Sequence, residues 1–421
     1  MVCRVTLARL SLAILLIGVK HSAGQEVDKG RAEVQAAGQA TEADRLFKLG
    51  QFDAALPIYE AERASRAALG DVGYEAYALR AIGLCQAELG DDESAIESLN
   101  SARALDLKRE DRGYAGYDDF LIAQAELRLG RFDKGIATLL RGVPLLSQAV
   151  DRDHEADARL VLTRTLVALG RAEEARPHVD RAMALASELN DAWRLADAWA
   201  SSGQVEGALG RISPAIERFS DAQEAFEQQG RAAEAAWMET ATASSLVLLG
   251  RPELAMARFE EAAKLHEHLE DGGSLSEDLS AIAGLHLEAR RLDDALKAAG
   301  RAVDEATKAD DRPKEVEARV RLAQVQGARD DWPGAVATLD EAVALIRQVA
   351  RDDPAERVRL LLTLADANHR AQLDAAALER LDSARAIAEE SKLAPLVEVV
   401  AEARRRFDAR EKPPEAPKPH Q

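Results

Sequence analysis

Cysteine is nearly absent from these 421 residues: there are two, Cys3 and Cys85. A disulfide framework is therefore excluded, and stability has to come from packing. Aromatic residues make up only 4 % of the chain although 47 % of it is hydrophobic. The core must then be built largely from Ala, Leu and Val, which is the composition of a helical array. Positive charge is outnumbered, with 55 Lys and Arg against 74 Asp and Glu and a net charge of −19. That balance argues against a polyanionic partner such as nucleic acid.

Long hydrophobic runs are missing as well. The longest lies near the start, where Leu10 to Val19 follows Arg4 and Arg9 and precedes Ser22-Ala23-Gly24. A positive start, a short apolar stretch and small residues form a secretory signal, with cleavage expected near Ala23 or Gly24. Ten apolar residues fall well short of the ~20 that span a bilayer, so an uncleaved N-terminal membrane anchor is the competing reading. The sequence predicts export, to a bacterial periplasm or the extracellular space, with no stable membrane insertion after cleavage. Cys85 stands in the apolar run Ile82-Gly83-Leu84-Cys85 and reads as a small core residue.

Catalytic patterns are lacking too. There is no phosphate loop ending in Gly-Lys-Ser/Thr, no Gly-x-Ser-x-Gly elbow, no Cys-x-x-Cys pair and no His-Glu-x-x-His helix. His266-Glu267-His268 comes nearest to a metal site, but residues two apart on a helix point about 200° away from each other. That stretch is expected to be solvated helix surface. Asp151-Arg152-Asp153 begins like a calcium loop, but Ala156 and Leu162 stand where its Gly and its last Glu are needed. Gly203 to Gly210 holds three glycines, at spacings that suit helix packing. No catalytic residue, cofactor or metal site is assigned.

What the chain has is a repeat. Leu-Gly pairs occur at Leu49-Gly50, Leu89-Gly90, Leu129-Gly130, Leu169-Gly170, Leu209-Gly210 and Leu249-Gly250, a 40-residue period that signals a solenoid. Seven residues before the Gly stand Ala43, Gly83, Ala123, Thr163, Gly203 and Ala243, and the series runs on through Ala283, Ala323 and Ala365 after the Gly is lost. Five after it come Ala55, Ala95, Gly135 and then Ala at each later repeat. Twelve after it come Ala102, Gly142, Ala182 and their successors, with Glu62 the exception. Nine after it stands a larger apolar residue, such as Tyr59, Leu99, Leu139 or Phe219.

This pattern predicts two antiparallel helices per repeat. The Gly would take a left-handed conformation past the end of the first helix. Asp53, Asp133, Ser213 and Asp293 would lie near the start of the second, where a short acceptor or negative charge suits free N–H groups. Polar breaks such as Glu110-Asp111-Arg112-Gly113 and Asp310-Asp311-Arg312-Pro313 would join one pair to the next. One pair cannot bury its apolar face alone, so the pairs must stack. The expected organisation is a signal at 1–24, a leader or frayed helix at 25–40, an array at 41–390, a capping helix at 391–410 opened by Pro395, and a Pro-rich disordered tail at 411–421.

On these four columns the chain resembles the tetratricopeptide repeat (TPR) family, over about nine helix pairs, in a longer-repeat variant: the family period is about 34 residues and the period here is 40. The resemblance implies an all-α, right-handed α-α superhelical solenoid whose concave face is lined by the first helix of each pair. It also implies partner-binding positions thirteen, ten, six and three residues before the Gly. Carried onto this chain, these give Tyr77, Arg80, Tyr117, Phe120, Gln124, Arg164, Gln204 and Trp237 as groove candidates, with Leu84 and Leu127 among them. Tyr, Trp and Arg are the side chains most enriched in binding hot spots; packing against the next repeat is the alternative role for each. The family's Lys/Asn carboxylate clamp is not reproduced, since Ala40, Asp44, Arg80, Leu84, Phe120 and Gln124 hold those places. The resemblance thus points to a non-catalytic scaffold for a protein or peptide partner. The alternative is a structural or self-assembling spacer in the cell envelope.

Overall fold

The computed structural model describes residues 30–349, 354–391 and 394–411. The signal at 1–24, the first residues of the leader and the Pro-rich tail from 412 onward lie outside the described residues. Nineteen helices and no strand are present among those described. They form two compact units. The first holds α1 (30–48), α2 (Phe52–Leu69), α3 (Val72–Glu88), α4 (Asp92–Lys108), α5 (Arg112–Arg128), α6 (Phe132–Ala149), α7 (Arg152–Ala168), α8 (Ala172–Leu189) and α9 (Ala192–Ala208). The second holds α10 (Ile212–Gln228), α11 (Ala232–Leu248), α12 (Pro252–His268), α13 (Gly272–Glu288), α14 (Leu292–Lys308), α15 (Arg312–Ala328), α16 (Trp332–Val349), α17 (Pro354–Arg370), α18 (Asp374–Glu390) and α19 (Ala394–Glu411). None of these helices is long and apolar enough to cross a membrane.

Each helix ends the same way. From Gly50 to Asp330, every twentieth residue has positive φ, between 51° and 84°. The N–H of the next residue reaches back to the carbonyl five before it, as in Arg171 N–H to Leu166 O at 2.8 Å and Asp331 N–H to Gln326 O at 2.9 Å. This 6→1 bond, with a left-handed residue ahead of it, is a Schellman stop. The Leu-Gly bend is therefore half of a 20-residue rhythm, and the connections between pairs carry the same turn at Gly70, Glu110, Val150 and Asn190. Where Gly is lost, Arg290, Asp330 and Gln372 keep the conformation.

Helix starts differ from expectation in one respect. Asp53, Asp133 and Asp293 lie in the first turns of α2, α6 and α14, whose N-cap residues Gln51, Arg131 and Arg291 make no side-chain cap bond. The side-chain caps are Asp71, Asp91, Asp111, Asp151, Asp191, Asp271 and Asp311, each accepting from the N–H three residues on. Negative charge in a first turn and a side-chain cap are separate devices, and the chain uses both.

The small columns are the places where backbones touch. A Cβ on Gly83 would stand 2.7 Å from Leu99 and 3.2 Å from the Ala95 carbonyl; one on Gly142 would stand 2.7 Å from Asp119 Cβ and 3.0 Å from the Gly116 carbonyl. Seven-before thus meets five- and nine-after within a pair, and twelve-after meets the next contact along. Leu99, Leu139, Val179, Phe219 and Phe259 fill the space beside them and are almost wholly buried. Cys85 is buried here too.

A further buried column lies sixteen after the bend: Arg66, Asp106, Leu146, Ala186, Phe226, His266 and Ala306. Its mixed chemistry hides it from a search for apolar periodicity. It corrects the expectation that His266 is solvated. Only 1 % of His266 is exposed, and its Nδ1 lies 2.7 Å from Asp278 Oδ2, while Thr240 donates to Asp278 Oδ1 at 2.7 Å. Among the described residues no group of His, Cys, Asp and Glu is arranged to hold a metal.

Glu62 breaks the small column twelve after the bend, and it is fully buried. Neither carboxylate oxygen has a hydrogen-bond partner, and Arg66 Nε stands 3.6 Å away. Burial pushes its pKa up to about 7, against the pull of Arg66.

Three outcomes are expected from unfolding of the full chain in urea. Gly250→Ala, whose Cβ would meet nothing within 4 Å, loses about 1 kcal/mol from the left-handed backbone alone. Gly142→Ala loses about 1–3 kcal/mol from overpacking against backbone and is the worse of the two. Glu62 binds its proton more tightly folded than unfolded, so stability falls as pH rises from the free-Glu value of about 4.3 to about 7. Glu62→Gln removes that slope and raises stability at pH 8 by up to about 3 kcal/mol.

Candidate functional site

Residues three apart on a helix share a face, and Tyr74 and Tyr77 stand so on α3. One 40-residue period later Tyr114 and Tyr117 repeat the arrangement on α5. The two helices are the first members of successive pairs and pack side by side, so their four phenol rings converge. Two adjoining clefts result, of about 460 and 380 Å³, which share Tyr77, Arg80 and Tyr114. Asp44 and Phe47 of α1 complete one wall, together with Tyr59, Leu84 and Lys48. Tyr74 is 55 % exposed, Tyr114 52 % and Tyr77 38 %.

Asp44 organises the α1 side. Its Oδ1 accepts from the Tyr59 and Tyr77 hydroxyls, both at 2.6 Å. Burial and that carboxylate hold both phenol pKa values above the ordinary range. Burial does the same to Tyr117, whose ring centroid lies 4.1 Å from that of His154. These phenols stay protonated, as donors and apolar faces rather than bases.

Arg80 forms the floor. Its Nε donates to Asp118 Oδ1 at 2.5 Å, and its Nη2 donates to Asp118 Oδ2 at 3.2 Å and, more closely, to Asp106. The guanidinium carbon lies 4.6 Å from the Tyr114 ring centre, a cation–π distance. Burial lowers the Arg80 pKa, but the ion pairs with Asp118 and Asp106 outweigh it and leave it raised. Burial also raises Asp118 and Asp106 against the pull of Arg80. With two carboxylates on it, Arg80 is a post that fixes Tyr114, and its charge is already matched. Arg66 serves Tyr74 in the same way, at 4.2 Å from its ring centre.

Of the residues singled out in the sequence, Tyr77, Arg80 and Tyr117 meet at this cleft. Phe120 is buried behind it, in the core of the first unit, 6.3 Å from Tyr117 between ring centres. Gln124 on α5 and Gln204 on α9 are half-buried away from the cleft. Arg164 on α7 is exposed and paired with Asp197 of α9 at 2.9 Å. Trp237 lies on α11 in the second unit, 44 % exposed. Asp44 and Tyr59 stand in the sequence pattern only as a departure from the carboxylate clamp and as a packing residue, and Tyr74 and Tyr114 not at all. Tyr74 and Tyr114 sit sixteen before the bend, one turn outside the columns considered. Composition carried a signal for them, since all five tyrosines of the chain fall between Tyr59 and Tyr117.

No protein-family model matches the sequence, and no curated protein does. Solved structures do resemble the fold. The apo form of RapI superposes with a TM-score of 0.57 at 14 % identity, over 89 % of this chain and 98 % of that one. A Rap protein complexed with competence and sporulation factor gives 0.51 at 15 %, over 86 % and 99 %. A STAND signal-transduction ATPase with a tetratricopeptide repeat sensor, from Pyrococcus horikoshii, gives 0.56 at 14 %, over 87 % of this chain and 55 % of that one. This chain thus spans little more than half the length of that ATPase. Tandem helix pairs, left-handed stops, columns of small residues and these neighbours agree: the chain has the all-α, TPR-like solenoid fold, in a 40-residue form.

Proposed function

We propose that this chain is an exported, non-catalytic scaffold that holds an extended segment of a partner protein in the tyrosine cleft of its first unit. The observation that carries the reading is the convergence of Tyr74, Tyr77, Tyr114 and Tyr117 in a chain with few aromatics. Exposed phenol rings held by Asp44, Arg66 and Arg80 offer large, rigid contact area that loses little entropy on binding. Phenols kept protonated, and an arginine already neutralised, suit binding better than proton transfer or nucleophilic attack. A structural neighbour of the same fold was solved in complex with competence and sporulation factor, which supports a binding role for such an array. Export rests on the reading of residues 1–24.

The test is affinity capture from the cell envelope of the native organism with the full chain, then measurement of Kd for the recovered partner. Tyr77→Ala and Tyr114→Ala are each expected to weaken binding by about 30-fold, the effect of losing a hot-spot side chain worth about 2 kcal/mol. Gln204→Ala, away from the cleft, is expected to leave Kd unchanged. Equal affinity for all three variants and the parent would end the cleft reading.

A further inference from the structure

Nine residues before the bend, successive repeats carry Ala81, Leu121, Val161, Ser201, Ala241 and Ala281. All are uncharged, and all are buried or half-buried. In the next repeat the place is taken by Arg321, also half-buried. A charge at a packing position breaks the local rule of the fold, and such breaks concentrate at functional sites.

Arg321 is accommodated by a second exception. Six before the bend stand Leu84, Gln124, Arg164, Gln204 and Ser244, but in the repeat before Arg321 the residue is Gly284. A Cβ there would lie 3.3 Å from the guanidinium carbon of Arg321 and 3.4 and 3.6 Å from its two Nη atoms. The guanidinium therefore rests against α13 where the side chain is missing.

The remaining surroundings leave it short of acceptors. Nη1 donates to Gln324 Oε1 at 2.8 Å, and among the described residues no carboxylate stands within ion-pair distance. The contrast with its neighbour is sharp: Arg319 is paired with Glu315 at 2.7 Å and also with Glu341. Burial lowers the Arg321 pKa, and Glu288 acts on it only at a distance. Neither Nε nor Nη2 has a hydrogen-bond partner among the described residues, and the side chain is only half-buried. A half-buried guanidinium with one hydrogen bond is a poor arrangement in isolation and a good one for an incoming oxyanion, which guanidinium binds through paired N–H groups.

We propose that Arg321, bedded on Gly284 and steadied by Gln324, is a binding site for an oxyanion, a carboxylate or phosphate group carried by a partner. Gln324 also lines a cavity of about 310 Å³ whose walls include Val320, Trp332, Leu339 and Ala367 together with Asp366 and Arg370, which are paired with each other at 2.7 Å, so an apolar group attached to the anion has a place beside it. The site lies wholly in the second unit and does not depend on the tyrosine cleft.

Phenylglyoxal labelling of the folded full chain, mapped by mass spectrometry, tests this. The reagent attacks unprotonated guanidine, so Arg321 should be labelled faster than the ion-paired Arg319. Acetate and inorganic phosphate are then added separately, with chloride at equal ionic strength as the reference. Protection of Arg321 by about tenfold is expected once the probe stands roughly ten times above its dissociation constant, with Arg319 unaffected. Protection by acetate alone assigns a carboxylate, and by phosphate alone a phosphate group. Labelling no faster than that of Arg319, or no protection beyond chloride by either probe, overturns the proposal.

Discussion

Everything in this chain depends on where its helices stop. A left-handed residue every twenty positions limits each helix from α2 to α15 to 17 or 18 residues, and the following N–H ties the stop down by a 6→1 bond. Helices of equal length keep side chains in register from one repeat to the next, and only then can the same column be small throughout. The 40-residue period is thus a geometric constant to which side chains have been fitted. It holds at Arg290 and Asp330, where the sequence has abandoned glycine, and the left-handed stop persists at Gln372 after a two-residue insertion, which shows that the 6→1 bond and helix packing outweigh the ~1–2 kcal/mol that an L-residue loses there.

On that frame, ion pairs join successive repeats. Arg128 reaches Asp92, Arg194 reaches Asp157 and Lys314 reaches Glu277, each 36 or 37 residues apart in sequence and within 2.9 Å. These pairs lie part-buried near the surface. Arg80 is different, because Asp106 and Asp118 close over it in the interior, where an uncompensated charge is costly and a compensated one fixes geometry. At the tyrosine cleft, Tyr74 and Tyr114 are held by the charges of Arg66 and Arg80 beneath them.

Most of the fold was legible in the sequence because it is written in residue size. Gly50 to Gly250 marked the bends, and the alanines five and twelve after them marked the contacts. The column sixteen after the bend was illegible, since Arg66, Asp106, Phe226 and His266 share a location and no chemistry. The cleft was half legible. Tyr77, Arg80 and Tyr117 sat on positions suggested by the family resemblance, while Tyr74 and Tyr114 sat one turn away from them. Burial sorted these residues as no pattern could: Phe120 and Arg80 look alike to a positional rule, yet one is core and the other a buried ion pair, and exposed Tyr114 was not on the list. The partner of each arginine was equally hidden, because pairing across one period depends on side-chain reach and not on spacing alone.

The columns seven before and five after the bend hold residues to a size and to nothing else. Ala, Gly and Thr serve equally at 43, 83 and 163. Such a rule fixes a shape while leaving nearly every letter free, so likeness can be lost from the sequence and kept in the backbone. A chain of this kind can superpose along most of its length on proteins with which it shares about one residue in seven and still match no family profile.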